Sequence, residues 1–381
     1  MQFIRISGSA ELSTMRFIWS ILLLVSCTVQ AADISDPTKF MFVGDRTQNI
    51  IDVLSVKDAE VVHRIETSIH PDHIVATPFA PILMYADVKL QQAVFYDLDK
   101  QVEISKLDLP MTPRHVVLDT TGSKIGISDN VEGGFVLIHA YKKTIEFALE
   151  DFPATAEVLF DPNDVDIYFS DVAKGSLGLL DINTQRIYEM TLVDEAGAKL
   201  SSPSRSLDAR YLYVANITTG EVYSLNAYSN VIFKTFDFGG VPARPYTTPQ
   251  GAFMYMLDEE NGRLVSVEQN GFTEFATAAF DHGVDLVTVG RFDRMNLFLS
   301  SSNRHWSIFD NVTQAVVASG TFKGTPIGAL GAADGKLAFI AFADIAEVAL
   351  VDLEDHTVKF VPATQNGSGA FTVGLSNNVC H

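Results

Sequence analysis

The sequence has little cysteine, with Cys27 and Cys380 as the two examples in 381 residues. Small secreted domains held together by disulfides carry several cysteines in a short chain, so this composition excludes such a scaffold. A buried apolar core must hold the chain together instead. The composition allows one, because 47% of the residues are hydrophobic and 19% are charged.

Positive charge is also scarce. There are 27 lysine and arginine residues against 47 aspartate and glutamate residues, a formal net charge of −20. Such a surface repels phosphate backbones and anionic lipid headgroups, which excludes nucleic-acid binding through a basic groove. Cations, or a basic protein partner, are the electrostatically favoured ligands of this acidic protein.

Long apolar runs are absent except near the N-terminus. A basic residue, Arg16, precedes the apolar run 17–25, and small residues follow up to Ala32. The run is shorter than the roughly 20 residues that span a bilayer, and its pattern is that of a secretory signal peptide. We therefore predict upstream residues plus a signal peptide over 1–31, with cleavage after Ala31, and a mature chain over 32–381 without a transmembrane segment.

The predicted compartment is the periplasm or the exterior. A second interpretation stays open, because Leu24-Val25-Ser26-Cys27 resembles a bacterial lipobox. In that case Cys27 would carry lipid and anchor the protein to a membrane.

A period of 42 residues organises the chain from residue 40 onward. Eight short β-type runs end in residues that follow one another at steps of 42, with one step of 45. These residues are Asp45, Asp87, Asp129, Asp171, Asn216, Asp258, Ser300 and Phe342. Each is followed about ten residues later by the end of a second alternating run, as in Val94-Phe95-Tyr96-Asp97, and alternation is the strand period.

Repeats of about 40 residues with several short strands are typical of a β-propeller. We predict an all-β fold, a single closed propeller of eight four-stranded blades, with seven blades as the alternative. The first unit lacks an innermost strand on its N-terminal side. Residues 370–375 supply it, because they stand 42 residues after the equivalent run at Gly328, so the C-terminal strand closes the ring.

Two segments carry a resemblance to a known class. Tyr211-Leu212-Tyr213-Val214-Ala215-Asn216, with Gly220 after it, resembles the Tyr-Val-Thr-Asn (YVTN) propeller repeats, and the run from Pro71 to Pro78 resembles their innermost strand. That class belongs with the quinoprotein amine dehydrogenase heavy-chain-like and nitrite-reductase-like propellers. The resemblance covers nearly all of the mature chain, and it implies a fold and not an activity.

Several catalytic motifs are missing. The sequence has no Cys-x-x-Cys-His, so no c-type haem is expected, and it has no Walker A loop, His-Glu-x-x-His or Gly-x-Ser-x-Gly motif. Trp306 is the one tryptophan after residue 31, whereas quinoprotein alcohol dehydrogenase propellers use tryptophan-rich blades. These absences favour a protein that is not an enzyme.

The register of the repeat points to one candidate site. Fourteen residues before each strand end lies one equivalent position in each innermost strand, here called the ring position, at one face of the central channel. These positions hold His73, His115, Glu157, Ser202, Arg244, Leu286, Gly328 and Ala370. The first three come from consecutive blades, and two imidazoles with a carboxylate can bind Zn²⁺ or another divalent metal.

Secondary candidates lie on loops near the same face: Asp87, Asp129 and His282. Each has a structural alternative, since strand-end aspartates satisfy turn N–H groups and strand histidines bond nearby backbone. Arg244 lies across the same ring and could hold the carboxylate of a ligand, or form a structural ion pair with a neighbouring aspartate.

Three functional hypotheses follow. The first is a non-enzymatic periplasmic binding protein that holds a small ligand, foremost a divalent metal such as zinc, at the channel mouth, as a chaperone for a transport system. This is similar to periplasmic zinc-metallochaperone propellers, although their His-rich segments are missing here. The second is an oxidoreductase subunit or cofactor-binding propeller resembling the amine dehydrogenase heavy chain. The third is a scaffold whose acidic face binds a periplasmic protein.

Overall fold

A computed structural model describes residues 32–161, 163–171, 174–192, 199–229 and 231–376. Eight antiparallel sheets of four strands each follow one another along the chain as the blades of a closed β-propeller. The prediction of eight blades is confirmed, and the seven-bladed alternative is wrong. The predicted signal peptide, with Cys27 and the cleavage after Ala31, lies outside the described residues, and so does Cys380.

The strands are numbered in chain order, and each blade is read from the channel outward. The innermost strands of blades 1 to 8 are β32 (Ser368–Val373), β4 (His73–Ala76), β8 (His115–Leu118), β12 (Thr155–Phe160), β16 (Ser204–Arg205), β20 (Tyr246–Thr247), β24 (Leu286–Val289) and β28 (Pro326–Gly331). The second strands are β1 (Phe40–Asp45), β5 (Ile82–Asp87), β9 (Lys124–Ser128), β13 (Asp166–Asp171), β17 (Tyr211–Asn216), β21 (Phe253–Leu257), β25 (Met295–Leu299) and β29 (Leu337–Phe342).

The third strands are β2 (Ile50–Ser55), β6 (Gln92–Asp97), β10 (Phe135–His139), β14 (Ser176–Asp181), β18 (Glu221–Asn226), β22 (Arg263–Glu268), β26 (His305–Asp310) and β30 (Glu347–Asp352). The outermost strands are β3 (Glu60–Glu66), β7 (Val102–Asp108), β11 (Thr144–Leu149), β15 (Arg186–Thr191), β19 (Val231–Asp237), β23 (Thr273–Ala279), β27 (Ala315–Thr321) and β31 (Thr357–Pro362). Two short 3₁₀ helices, Pro37–Lys39 and Arg291–Asp293, complete the described elements. Within the described residues no helix is long and apolar enough to cross a membrane.

Burial explains the sequence pattern of the blades. The second and third strands are covered on both faces by the neighbouring blades, so runs such as Ile82–Asp87 are buried throughout. The outermost strands are more exposed, as in Val102–Asp108, whose exposed side chains include Glu103, Lys106 and Asp108. The core is therefore a ring of apolar layers between blades, and each layer is filled by side chains from two neighbouring sheets.

The C-terminal strand closes the ring as predicted. β32 pairs with β1 through Met41 opposite Val373 and Val43 opposite Phe371. Val373 packs in the apolar layer between blades 1 and 8, against Met41 and Phe339. The first blade is thus built from both ends of the described chain.

The innermost strands of blades 5 and 6 are shortened to two residues. Pro203 and Pro245 stand directly before them, and proline has no N–H to donate to a neighbouring strand. Pairing resumes on the far side of each proline, at the isolated bridges Leu200–Asn216 and Pro242–Asp258. The channel wall is therefore irregular on this side.

The turn between the third and fourth strands has the same unusual backbone in seven blades. One residue in each of these turns has a positive φ although it is not glycine, and these residues again follow the repeat. They are Ala59, Gln101, Lys143, Gln185, Phe272, Gln314 and His356. Their shared position shows that the blade geometry, and not the residue type, imposes the left-handed conformation.

Candidate functional site at the channel mouth

The innermost strands bring the predicted residues to one mouth of the channel. His73 and His115 are the first residues of β4 and β8, and Glu157 is the third residue of β12. The two imidazoles are close enough for the charge of His115 to lower the pKa of His73. The carboxylate of Glu157 in turn acts on the pKa of His115. These electrostatic effects show that the three side chains lie near one another, as the repeat register predicts.

The fold lowers the pKa of both imidazoles and so favours their neutral form. Burial is the main cause that lowers the pKa of His73, and the positive charge that His115 can carry lowers it further. Burial also lowers the pKa of His115. There the Glu157 carboxylate opposes the shift and the Arg244 guanidinium supports it. Each ring also bonds backbone, of Pro113 in the case of His73 and of Val158 in the case of His115, as expected of strand histidines, so one nitrogen of each remains to act as a ligand or hydrogen-bond partner.

Arg244 and Glu157 form an ion pair across blade 5. Nη1 of Arg244 donates to Oε2 of Glu157 at 2.6 Å, and the side chains are 44% and 38% exposed. At that exposure the pair contributes little to stability, because water and salt screen it. The partner of Arg244 is therefore the carboxylate of the predicted metal set, and not the neighbouring aspartate that the sequence offered as an alternative.

The metal prediction is neither confirmed nor contradicted by this arrangement. No group of three or more histidine, cysteine, aspartate or glutamate side chains is gathered for a metal within the described ranges. Glu157 is engaged by Arg244, which removes the third donor of the predicted set. Nε2 of His115, however, is buried and has no hydrogen-bond partner in the described part of the chain.

The secondary aspartates are used by the fold. Oδ1 of Asp87 accepts the N–H groups of the turn that follows β5, and its Oδ2 accepts the N–H of His70 at 3.0 Å. Asp129 accepts two turn N–H groups and forms an ion pair with Arg114 at 3.1 Å. Both carboxylates are almost fully buried, so their structural roles account for them.

His282 is likewise bonded within its own blade. Its Nδ1 bonds the carbonyl of Gly283 at 2.8 Å, and its Nε2 bonds the hydroxyl of Ser307 at 3.0 Å. The ring also packs against Phe280 and His305. The candidate site therefore rests on His73, His115 and Glu157, with Arg244 as an added member.

Two cavities occupy the channel. The polar cavity, of about 470 Å³, lies along blades 4 to 7 and is lined by charged and polar side chains that include Glu157, Ser202, Arg205, Arg244 and Asp285. The apolar cavity, of about 280 Å³, lies along blades 8 and 1 to 4 and is lined mainly by Val75, Val117, Leu118, Leu159, Leu330 and Val373. Arg205 and Leu159 line both, so the two cavities meet there.

The sequence analysis missed Arg205. It stands three residues after the ring position of its blade, and the equivalent positions hold Ala76, Leu118, Phe160, Thr247, Val289, Gly331 and Val373. Arg205 is the one charged residue in that series. An ionisable residue at a position that is otherwise apolar or small was the signal that could have found it.

Acidification is expected to weaken the fold through this site. Because the folded protein holds His73 and His115 neutral, the unfolded chain binds more protons once the pH falls below about 6.5, the ordinary histidine pKa. The stability contributed by neutral imidazoles is therefore complete above that pH and declines below it. The urea midpoint of unfolding should fall between pH 7.5 and pH 5.5, and it should fall more for the parent than for the His73→Gln/His115→Gln variant. Equal falls would show that these imidazoles are not held neutral by the fold.

Comparisons of the whole chain give relatives in structure but not in sequence. No protein-family model and no curated protein sequence matches the chain. The dihydro-heme d1 dehydrogenase NirN in complex with DHE is similar over 91% of this chain and 77% of its own, with a TM-score of 0.74 and 12% identity.

Two further structures share the architecture. The hydrazine synthase of Kuenenia stuttgartiensis is 12% identical over 77% of this chain and 95% of its own, with a TM-score of 0.53. The C-terminal WD40 domain of Sif2 is 13% identical over 79% of this chain and 86% of its own, with a TM-score of 0.62. At these identities the likeness shows the propeller fold alone.

Proposed function

We propose that this propeller is a binding protein that holds a small ligand at the channel mouth, next to His73 and His115. The observation that supports this proposal best is the pair of largely buried imidazoles whose pKa is lowered, next to the Arg244–Glu157 ion pair that itself lines a cavity of about 470 Å³. Cavities of this size with a few convergent polar groups are typical of small-ligand sites. Pre-formed walls on neighbouring blades suit binding without large rearrangement.

A divalent metal such as zinc is the ligand that the histidine pair favours. Neutral imidazoles are what zinc requires, and Nε2 of His115 is buried without a described partner. The remaining donor is Glu157, whose carboxylate must leave Arg244 to join the set. Metal binding would therefore replace an internal ion pair, and Arg244 would act against it.

Zinc titration of metal-free protein tests this proposal. His73→Ala and His115→Ala should each weaken Zn²⁺ binding by about 100-fold, because a two-donor site holds zinc poorly. Arg244→Gln should strengthen binding by about tenfold, because it frees Glu157 and removes a positive charge from the mouth. Isothermal calorimetry of the variants measures all three effects.

The controls are a histidine on an outermost strand and the thiol of Cys380, which was not part of the predicted metal set. His63→Ala, on the outermost strand of blade 1, and Cys380→Ser should bind Zn²⁺ as the parent does. Since both mouth imidazoles have a lowered pKa, affinity should be kept to lower pH than at an ordinary histidine pair. If His73→Ala and His115→Ala bind Zn²⁺ as the parent does, the mouth is not the zinc site.

A cofactor-binding oxidoreductase subunit is the second candidate. It is favoured by the two imidazoles at the channel of a fold shared with a dihydro-heme d1 dehydrogenase. If a chromophore were bound, His73 and His115 would face it, and protein purified from its own cell compartment would absorb visible light. Stoichiometric zinc without a visible band would favour the first candidate instead.

The exported location and the YVTN assignment are parts of the same proposal. Export would place the mouth where free divalent metals and basic protein partners are met, which the net charge of −20 favours. The 42-residue repeat supports the propeller class, and no sequence match reaches a named family within it.

A further inference from the structure

The walls of the channel differ in chemistry between its two sides. Two residues after each ring position, the side chains of blades 2, 3, 4 and 8 are apolar, whereas those of blades 5, 6 and 7 carry hydroxyl groups, as does that of blade 1. The apolar set is Val75, Val117, Leu159 and Leu330, and the hydroxyl set is Ser204, Tyr246 and Thr288, with Thr372 of blade 1 standing between the apolar residues of blades 8 and 2. The hydroxyls of Ser204 and Thr288 are buried without a hydrogen-bond partner in the described part of the chain.

Arg205 lies where the two sides meet. It follows Ser204 on β16, is half-buried and lines both cavities. Its Nη1 is buried and has no hydrogen-bond partner among residues 32–376 as far as they are described. No carboxylate of the described ranges forms an ion pair with it within 4.0 Å. A guanidinium with a buried, unpaired donor is costly unless an anion completes it.

The acidic residue in the apolar cavity does not supply that anion. Asp119 uses its carboxylate on its own turn, where it accepts the N–H groups of Ser123 and Lys124 and the hydroxyls of Thr121 and Ser123. The remaining walls of the cavity are mainly aliphatic. The cavity therefore combines a cation that has one unpartnered donor, Nη1 of Arg205, with a mainly apolar surface.

We propose that the apolar cavity binds a monocarboxylic acid with an apolar body, and that its carboxylate pairs with Arg205. A guanidinium binds a carboxylate through two parallel N–H···O bonds, which is the strongest recognition this group offers. The body of the acid would lie against Val75, Val117 and Leu330 and remove their surface from water. This site adjoins the cavity at the mouth through Arg205 and Leu159, but it uses neither histidine and does not depend on a metal there.

Octanoate is a suitable probe, with octanamide as its uncharged counterpart. Calorimetric titration of the full chain should show octanoate binding that Arg205→Gln weakens at least tenfold, because the charge-assisted pair is lost. Octanamide should bind the parent at least tenfold more weakly than octanoate does. Arg205→Lys keeps the positive charge but lacks the two parallel N–H donors of the guanidinium, so its affinity for octanoate should lie between those of the parent and of Arg205→Gln.

Matched controls separate this site from the mouth and from general folding effects. Two arginine variants should bind octanoate like the parent. One is Arg210→Gln, since Arg210 is exposed, follows the same innermost strand and pairs with Asp208. The other is Arg244→Gln at the mouth. The melting temperature of Arg205→Gln should match or exceed that of the parent, because an unpaired buried donor is removed. Weaker binding in Arg244→Gln alone, no binding to the parent, or parent-like binding by Arg205→Gln would each overturn the proposal.

Discussion

Deleting residues 368–381 is expected to leave no soluble, folded propeller. The deletion removes β32, so β1 becomes an uncovered inner edge and the layer between blades 1 and 8 loses Val373. Unpaired strand edges with apolar faces template aggregation. Ring closure and the blade 1 core are lost together, so the effect should be far larger than that of a single core substitution.

The segment before β32 adds further attachment to blade 1. Oδ2 of Asp45 accepts the N–H groups of Gln365 and Asn366, and Oδ2 of Asp52 accepts that of Thr364. Burial alone would raise the pKa of Asp45, but these and neighbouring N–H groups outweigh burial and lower it. The carboxylate is therefore charged when it holds this segment.

The matched control is a chain that ends at Ser376 and keeps β32. It should stay soluble with a melting temperature close to that of the parent. The measurement is the soluble fraction after expression and the thermal midpoint of whatever protein remains. A soluble, cooperatively melting protein after removal of 368–381 would mean that another strand can close the ring.

Gly178→Ala is expected to destabilise blade 4 by about 1–3 kcal/mol, the usual cost of overpacking a core. A Cβ on Gly178 would lie 2.0 Å from the ring of Phe169, its partner on β13. That ring cannot move away easily, since it is fully buried and packs against Phe152 at 4.6 Å between centroids. The absence of a side chain at Gly178 thus leaves the space that the aromatic ring on the neighbouring strand occupies.

Denaturant midpoints measure this effect, and two further variants locate its cause. Gly271→Ala, in a turn where the added methyl meets only the Thr273 hydroxyl at 3.3 Å, should change stability little. In a Phe169→Leu background the cost of Gly178→Ala should shrink, because the clashing ring is gone, and contacting residues are rarely additive. If the changes in the free energy of unfolding caused by the two substitutions are additive, the strain does not arise from contact between residue 178 and the ring of Phe169.

Most of the fold could be predicted from the sequence because a propeller is a repeat. The period fixes where each strand ends, so eight blades and the closing strand followed from residues such as Asp87 and Asp129 without any tertiary information. The shortened inner strands of blades 5 and 6 were not predicted, although Pro203 and Pro245 could have indicated them.

The site could be predicted only in part. A register places Cα atoms, so it brought His73, His115 and Glu157 to one mouth. It does not give the reach of a side chain across the channel, and the 2.6 Å pair between Arg244 and Glu157 depends on that reach. Arg205 was not predicted because the register singles out one position per strand, whereas the cavities extend over several.

The left-handed turns have a consequence for how far this protein can be stabilised. Each non-glycine residue in that conformation costs about 1 kcal/mol relative to an ordinary backbone. The seven turns lie in different blades, so relief at one leaves the others unchanged. All of them lie between the third and fourth strands, away from the innermost strands that line the channel. Replacing these residues by glycine, one turn at a time, should therefore raise the thermostability without altering the channel. The present stability of the protein lies below what its architecture allows.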